Sequence, residues 1–352
     1  MGVIMSLMTP LKKRIIKKSL NKKNKENPFN QTYSENYQIV LDGNKDSINS
    51  HYFSAHNQNG ESLFVRRAER GDGSIELWCC YHNQDTTYVN TVQHFSNGDK
   101  NSKVELIEEA KQWKFSFSGE VCKMIKDENG IGQYSDEKSL MSVDAVFNAT
   151  TNIFDFTYHL DPSLMAAAVA KEKWSNEFFQ ALQSMNQIHY EQQGIVTANI
   201  AIDNQKIEFE SIAMRDHSYG TRDWAYMDRH IWLMVLIDDK TSVNTNMVKY
   251  PHLEHLKTGY YENKGELMQL KKITDMQEIQ TDGHVPGVFN YQVVLKNKEV
   301  FNITVEKEIE IPFEYDGYIV YEGIAKFTIN NKIARGISEF GFNKNQERWL
   351  FK

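Results

Sequence analysis

The segment QWKFSFSGEV sets Trp113, Phe115 and Phe117 against Lys114, Ser116 and Ser118. A period of two puts the three rings on one face of a strand and the polar side chains on the other. Similar β-rich, aromatic segments recur along the chain. YQIVL, YFSAHN, ESLFVRRAE, SIELWCCYH and FDFTYHL share the first half with it, separated by turn sequences such as GNKD, NQNGE, GDGS and SNGDKN. TANIAID, KIEFESIAM, HIWLMVLID, TGYYEN, GELMQLKKI, NYQVVLKN, VFNITVEKEIEI and YEGIAKFTI fill the second half. IDNQKIEF and TINNKIARG read as hairpins around Asn-containing turns. Strand and helix patterns do not alternate, which argues against parallel βαβ units and for antiparallel sheets. So many strands need barrels or sandwiches to dispose of their edges.

One stretch departs from this pattern. Asp161 can cap a helix whose first turn carries Pro162, and SLMAAAVAKEKWSNEFFQALQSM runs on without Gly or Pro. Trp174, Phe178, Leu182 and Met185 share one face of such a helix, as a packing stripe would. The expected fold is mostly β, with an N-terminal β domain over 34–160, one long linker helix over 161–188 and a C-terminal β domain over 189–352. A length of 352 residues suits two domains, and 40% apolar with 12% aromatic residues suffices for their cores.

Residues 1–33 stand apart as a basic tail, expected to be disordered. Positions 1–25 carry eight Lys or Arg and no acid, so the remainder has 40 − 8 = 32 basic against 47 acidic residues, a net of −15. An acidic body is a poor surface for phosphates, and no nucleic-acid partner is expected. The tail is too short and interrupted to span a membrane, and its basic run follows the apolar one, the reverse of a secretory signal. It offers instead a peripheral membrane contact through residues 1–25. MGVIMS, with Gly2 and Ser6, also fits the myristoylation pattern, and an acyl chain beside basic residues makes a two-part anchor. Cys79, Cys80 and Cys122 form neither CxxC nor an even framework. They read as buried thiols in a reducing compartment, so the expected location is cytoplasmic.

Phosphate-loop, dinucleotide, zinc-protease, nucleophile-elbow and EF-hand signatures are absent, so neither cofactor nor metal is expected. His252 and His255 in HLEH lack a third ligand. Chemistry concentrates instead in RDHSYGTRDW, residues 215–224, which continues as AYMDRHIWLMVLID. Its Arg and Asp residues balance, so mutual ion pairing at a corner between two strands is one reading. The other is a reactive rim. Alternation puts Arg215 and His217 on one face and Asp216 on the other, while Trp232, Met234 and Leu236 form an apolar wall ending at His230. An imidazole or carboxylate at such a rim can exchange a proton with a bound alkene, enol or carbonyl. Arg can fix an anionic group, and aromatic rings can cover the ligand. On this reading His217, Asp216 and Asp223 are the catalytic candidates. Arg215, Tyr219, Arg222, Trp224, His230 and Trp232 are the ligand-binding ones.

HYEQQGIVTANIAIDNQKIEF, RDHSYGTRDWAYMDRHIWLMVLIDD and YEGIAKFTINNKIARGISEFGF resemble two-part β proteins related to AttH and to hydroxyneurosporene synthase, the carotenoid 1,2-hydratase. In that family an Asp-His segment closed by Gly precedes a Trp-rich strand that ends in an acidic turn. Asp216, His217, Ser218 and Gly220, then Trp224, Trp232, Asp238 and Asp239, stand in matching places. SHYFSAHNQNGESLFVRRAER and EKWSNEFFQAL resemble its first half and linker, so the likeness covers about 34–345. It implies tandem lipocalin-like barrels joined by a helix, with a cavity for an isoprenoid, lipid or polyketide-like molecule. It also implies hydration, isomerisation or cyclisation by acid–base chemistry without a cofactor. RDHSYG followed by RDW departs from the Trp-Gly and Trp-Asp-Trp pattern of the carotenoid hydratases, so carotenoid specificity does not carry over. The alternative is a non-catalytic lipid carrier at a membrane surface.

Overall fold

The computed structural model describes residues 2–26, 35, 41–84, 86–184, 187–274 and 286–346. Most of YQIVL, and Met185 of the helical stripe, lie outside them. After helix α1 (Gly2–Glu26) come β1 (Ser47–His56), β2 (Ser62–Arg70), β3 (Ile75–Asn83), β4 (Thr86–Asn90) and β5 (His94–Phe95). Next are β6 (Ser102–Glu108), β7 (Gln112–Lys126), β8 (Gly132–Ala149) and β9 (Phe154–Asp155), then helices α2 (Pro162–Lys171) and α3 (Asn176–Ser184). Two long strands follow, β10 (Gln187–Ile202) and β11 (Gln205–Thr221). The last eight are β12 (Arg229–Asp238), β13 (Thr241–Tyr250), β14 (Leu253–Asn263), β15 (Glu266–Thr274), β16 (Val288–Leu295), β17 (Val300–Tyr315), β18 (Tyr318–Ile329) and β19 (Lys332–Asn343).

β12 to β19 close into an antiparallel eight-stranded barrel. β1 to β11 form an eleven-stranded sheet, and the pairing of β10 with β11 returns its path to its own start. β10 and β11 therefore belong to the first unit. The first sheet ends with β11 at Thr221, and the barrel begins with β12 at Arg229. β11 pairs with β1 along one edge and β10 along the other up to its last turns. The two Asn-containing hairpins form as expected. Asp203 takes φ +51° between β10 and β11, and Asn330 and Asn331 take +45° and +68° between β18 and β19, the left-handed turn that matches strand twist.

Three large apolar clusters organise the packing of the two units, and a smaller one lies under the helices. One fills the first unit with Phe53, Leu77, Cys79, Trp113, Phe115, Phe117 and Phe147 among others. Another fills the barrel with Ile231, Leu233, Val235 and their neighbours. The third lies between the units and joins Tyr52, Phe64, Trp78, Cys80 and Met214 to Trp224, Trp232, Met234, Leu236, Phe313 and Tyr315. β3 and β12 are consequently buried on both faces. Cys79 points into the first unit and Cys80 into the interface. All three thiols are buried and unpaired.

The single long helix of 161–188 is not present. Asp161 does cap α2, accepting from Ser163 N at 2.6 Å, but Glu172 is extended and the chain restarts at α3. Two local groups favour the break. The Trp174 indole donates to Val169 O at 2.9 Å, closing the end of α2, and Ser175 Oγ accepts from Phe178 N, opening α3. Trp174, Phe178 and Leu182 still pack together, with Leu253 and Ile16. Residues 2–26, expected to be disordered, form α1, whose Ile16 joins that cluster and whose Lys12 donates to Glu172 O at 2.7 Å. No helix among the described residues is long and apolar enough to cross a membrane.

Candidate functional site

Packing between the units is incomplete at one end, where it leaves a cavity of about 490 Å³. That is ample for a small organic ligand. The first unit contributes Ser50, Tyr52, Arg66, Trp78, Gln187, His189 and Asp216 to its wall. The barrel contributes His230, Trp232, Asn246, Val248, Tyr250 and Glu339. The connecting segment, Arg222 to Met227, closes the side between them.

Strand alternation determines which half of RDHSYGTRDW reaches this space. On β11, Ala213, Arg215 and His217 face into the first unit, while Met214 and Asp216 face the interface. His217 is 3% exposed. Its ring stacks on His51 at 4.0 Å, its Nε2 lies 2.8 Å from Asn49 Oδ1, and its Nδ1 meets the Tyr190 hydroxyl. Burial, with the neighbouring His51 and Arg215, drives its pKa well below the ordinary value, so it stays neutral. Arg215 pairs with Glu35 at 2.7 Å and grips Gln192 with two nitrogens. Tyr219 tilts against the His217 ring. These three residues thus belong to a polar network inside the first unit and do not line the cavity. Asp223 lines it but is exposed, and its oxygen accepts from Ala225 N at 2.9 Å to hold the connecting turn. Neither Arg215 nor Asp216 takes its charge partner from within the motif, as mutual pairing at a corner would require.

Asp216, Arg222, Trp224, His230 and Trp232 do line the cavity, where two cross-strand rows face each other. On the first unit, Asp216 pairs in register with Tyr52 of β1 and Glu191 of β10. His189, two residues before Glu191, puts Nε2 against Asp216 Oδ2 and 3.4 Å from Glu191 Oε1. Phe156 stacks on the His189 ring at 4.4 Å. Asn244 Nδ2 and the Tyr260 hydroxyl both donate to Glu191 Oε2 at 2.7 Å. Burial opposes protonation of His189, but Asp216 and Glu191 outweigh it and lift the pKa to about 10. Burial raises Glu191 against the pull of His189. The three groups keep their ligand-type atoms within 4.8 Å of one another, a grouping that would also suit a divalent cation in competition with the imidazole proton.

On the barrel, Trp232 of β12, Glu339 of β19 and Glu322 of β18 lie in one register row. His230 Nε2 meets Glu339 Oε1 at 2.5 Å and its Nδ1 lies 2.6 Å from the Tyr318 hydroxyl. Gly341 makes room for this ring, since a Cβ there would come within 2.3 Å of His230 Cε1. Burial and the Glu339 charge hold Glu322 protonated far above the carboxylate range. Burial would raise Glu339 too, but the adjacent His230 outweighs it and the net shift is downward. The Tyr52 hydroxyl crosses the interface to donate to Glu322 Oε1, which links the two rows.

Sequence reading missed Tyr52, Arg66, Trp78, His189, Glu322 and Glu339. Each sits in a strand whose pattern reads only as packing, and they converge through pairing of segments far apart in the chain. Of HLEH, His252 Nδ1 contacts the Tyr226 hydroxyl at 2.7 Å, and the His255 side chain lies outside the described residues.

Fold and site together define a two-unit antiparallel β protein with a small-molecule-sized cavity between its units. The chain matches the family described as a domain of unknown function, DUF7064, over residues 46–345, and it belongs to that family. No curated protein sequence matches it. Among solved structures it is similar to an AttH-type protein of Nitrosomonas europaea, with 8% identity and a TM-score of 0.50, covering 89% of this chain and 99% of that one. Kievitone hydratase of Nectria haematococca aligns at 10% identity and 0.45, over 91% and 97%. CghA with Sch210972 aligns at 8% identity and 0.49, over 89% and 94%. At such identity the first likeness concerns the fold alone.

The His189–Asp216 pair makes a direct expectation. A histidine raised from about 6.5 to about 10 contributes stability that is complete below pH 6.5 and is lost as pH rises through 10. NMR titration should show His189 still protonated at neutral pH. In Asp216→Asn, burial is opposed by less charge, so the titration should move down by more than one unit. An unchanged titration would mean the two groups are not paired.

Proposed function

We propose that the inter-unit cavity binds a hydrophobic small molecule of isoprenoid, lipid or polyketide type and turns it over by cofactor-independent proton transfer. Hydration, isomerisation and cyclisation share that chemistry. The observation that carries the reading is the Trp-walled cavity into which a carboxylate–imidazole pair, Glu339 and His230, opens opposite a charged His189. Trp78, Trp224 and Trp232 supply the apolar wall.

Magnitudes assign the roles. A general acid works best with a pKa near the operating pH, and about 10 is too high for His189 to release its proton readily. Its fixed charge is better suited to stabilising negative charge that develops on a ligand oxygen. Glu339, held ionised beside His230, is the proton acceptor. Glu322 and Tyr52 position it from behind. His217 keeps its sequence-based importance as a buried brace of β11, not as the reacting group.

The carrier alternative has one observation in its favour. Lys13, Arg14, Lys17, Lys18 and Lys22 are exposed on α1 beside exposed Leu11 and Ile15, a combination suited to an anionic membrane surface in the cytoplasm. Replacing these five basic residues with Gln should then abolish co-sedimentation with phosphatidylserine vesicles. Equal sedimentation would remove membrane contact from the account.

Catalysis and carriage separate in deuterium oxide. Small molecules extracted from the purified protein and identified by mass spectrometry should, on return to it in D2O, gain deuterium or change mass. Glu339→Gln should slow this by about 100-fold or more, the usual worth of a positioned acid or base. Recovery of an unlabelled, unchanged compound would leave only a carrier.

A further inference from the structure

One end of the cavity holds more positive charge than its own carboxylates neutralise. Arg66 and Arg70, both on β2, share a single partner, with Nη2 of each 2.8 Å and 2.5 Å from the two oxygens of Glu76. Arg222 arrives from the connecting segment, where Arg70 holds its carbonyl at 2.9 Å. In the amide orientation that satisfies both groups, Gln187 accepts from Arg222 Nη2 at 2.6 Å, but among the described residues no carboxylate lies within ion-pair distance of Arg222. Asp216 is neutralised by His189. Arg66 and Arg70 thus share one carboxylate, and Glu339 is taken up by His230, so the three guanidinium groups at this end outnumber the carboxylates paired with them among the described residues. Burial and the Arg66 charge already pull Arg222 down to about 10, the direction expected of a crowded cation.

The unused donors converge on the same end. Arg66 is 3% exposed and lines the cavity, yet its Nη1 has no hydrogen-bond partner among the described residues. Trp224 is 6% exposed and its indole Nε1 is also without one. Trp78, by contrast, donates its indole N–H to the Tyr315 hydroxyl at 2.5 Å. The Trp224 ring lies 5.8 Å from the Arg66 guanidinium carbon and 5.2 Å from that of Arg222, so both cations border the indole. Leaving buried donors and an excess charge unmet is costly, and natural sites meet such groups with an anionic ligand.

From this geometry, and resting on the reading of the cavity as a ligand site, we infer that the hydrophobic ligand carries one carboxylate. That carboxylate is seated between Arg66 and Arg222 with the Trp224 indole donating to it. A guanidinium fork matches a carboxylate in shape, and the apolar remainder then extends along Trp232, Tyr250 and Val248. Seating the acid at this end fixes which part of the apolar chain faces Glu339, so the subsite orients the ligand for proton transfer.

The test uses two probes with one apolar body, 4-(1-pyrenyl)butyrate and 4-(1-pyrenyl)butanol, followed by energy transfer from the cavity tryptophans in the full chain. The acid should bind at least about tenfold more tightly than the alcohol, as expected for one charge-assisted contact. Arg222→Gln should bring the acid to the level of the alcohol while the alcohol itself shifts by less than about twofold, which also reports that the variant is folded. Arg222→Lys should keep part of the preference. Equal affinities in the unmodified protein, or a preference that survives Arg222→Gln, would overturn the carboxylate subsite and leave the cavity reading standing. Binding of neither probe would overturn both.

Discussion

Everything in this molecule depends on two strands being buried on both faces. β3 presents Leu77 and Cys79 to the first unit and Trp78 and Cys80 to the interface, and β12 does the same with Leu233 and Val235 against Trp232 and Met234. Neither strand has a polar face, so neither unit could expose this surface to water without a large penalty. Burying one such side chain contributes about 1.5–3 kcal/mol, and the interface gathers many of them. By comparison, an exposed ion pair across the junction such as Lys45–Asp316, at 3.8 Å, contributes at most about 1 kcal/mol. Apolar contact, not charge pairing, therefore holds the two units in one arrangement.

The cavity is the place where that contact stops being apolar. Along β11 and β10 the interface face changes from Met214 to Asp216, Glu191 and His189; along β12 it changes from Trp232 and Met234 to His230. Ionisable groups from both sides cannot pack as closely as methyl groups, and most are held in pairs, His189 with Asp216 and His230 with Glu339. Tyr52 ties the rows together by donating to Glu322 across the boundary. The chain crosses between the units at the same place, which is why Arg222, Trp224, Tyr226 and Met227 line the cavity as well.

Much of this was legible in the chain and some was not. Antiparallel strands, the Asn hairpins and the apolar face of β12 follow from period-two patterning, which is a local property. The charge and aromatic density of RDHSYGTRDW was also legible, because it is local too. Where its side chains point was harder to read. Alternation correctly separated His217 from Asp216, yet only the partner unit decides which of those faces is a cavity and which is a core. His189 and Glu339 carried no signal, since a lone His or Glu in a strand is ordinary until pairing puts a carboxylate or imidazole beside it. The long helix failed because a stretch free of Gly and Pro can still be broken by a serine cap and an indole that closes the preceding turn.

The proposed ligand site lies between the units and not inside either of them. Photolabelling with a farnesyl diazirine, followed by peptide mapping, tests it directly. Labels should fall on the segment 222–227 and on β12, β13 and β3, where Trp224, Trp232, Tyr250 and Trp78 face the cavity. Labels confined to residues of the barrel interior such as Tyr291 and Phe327, or to the first unit's interior around Phe115, would contradict it.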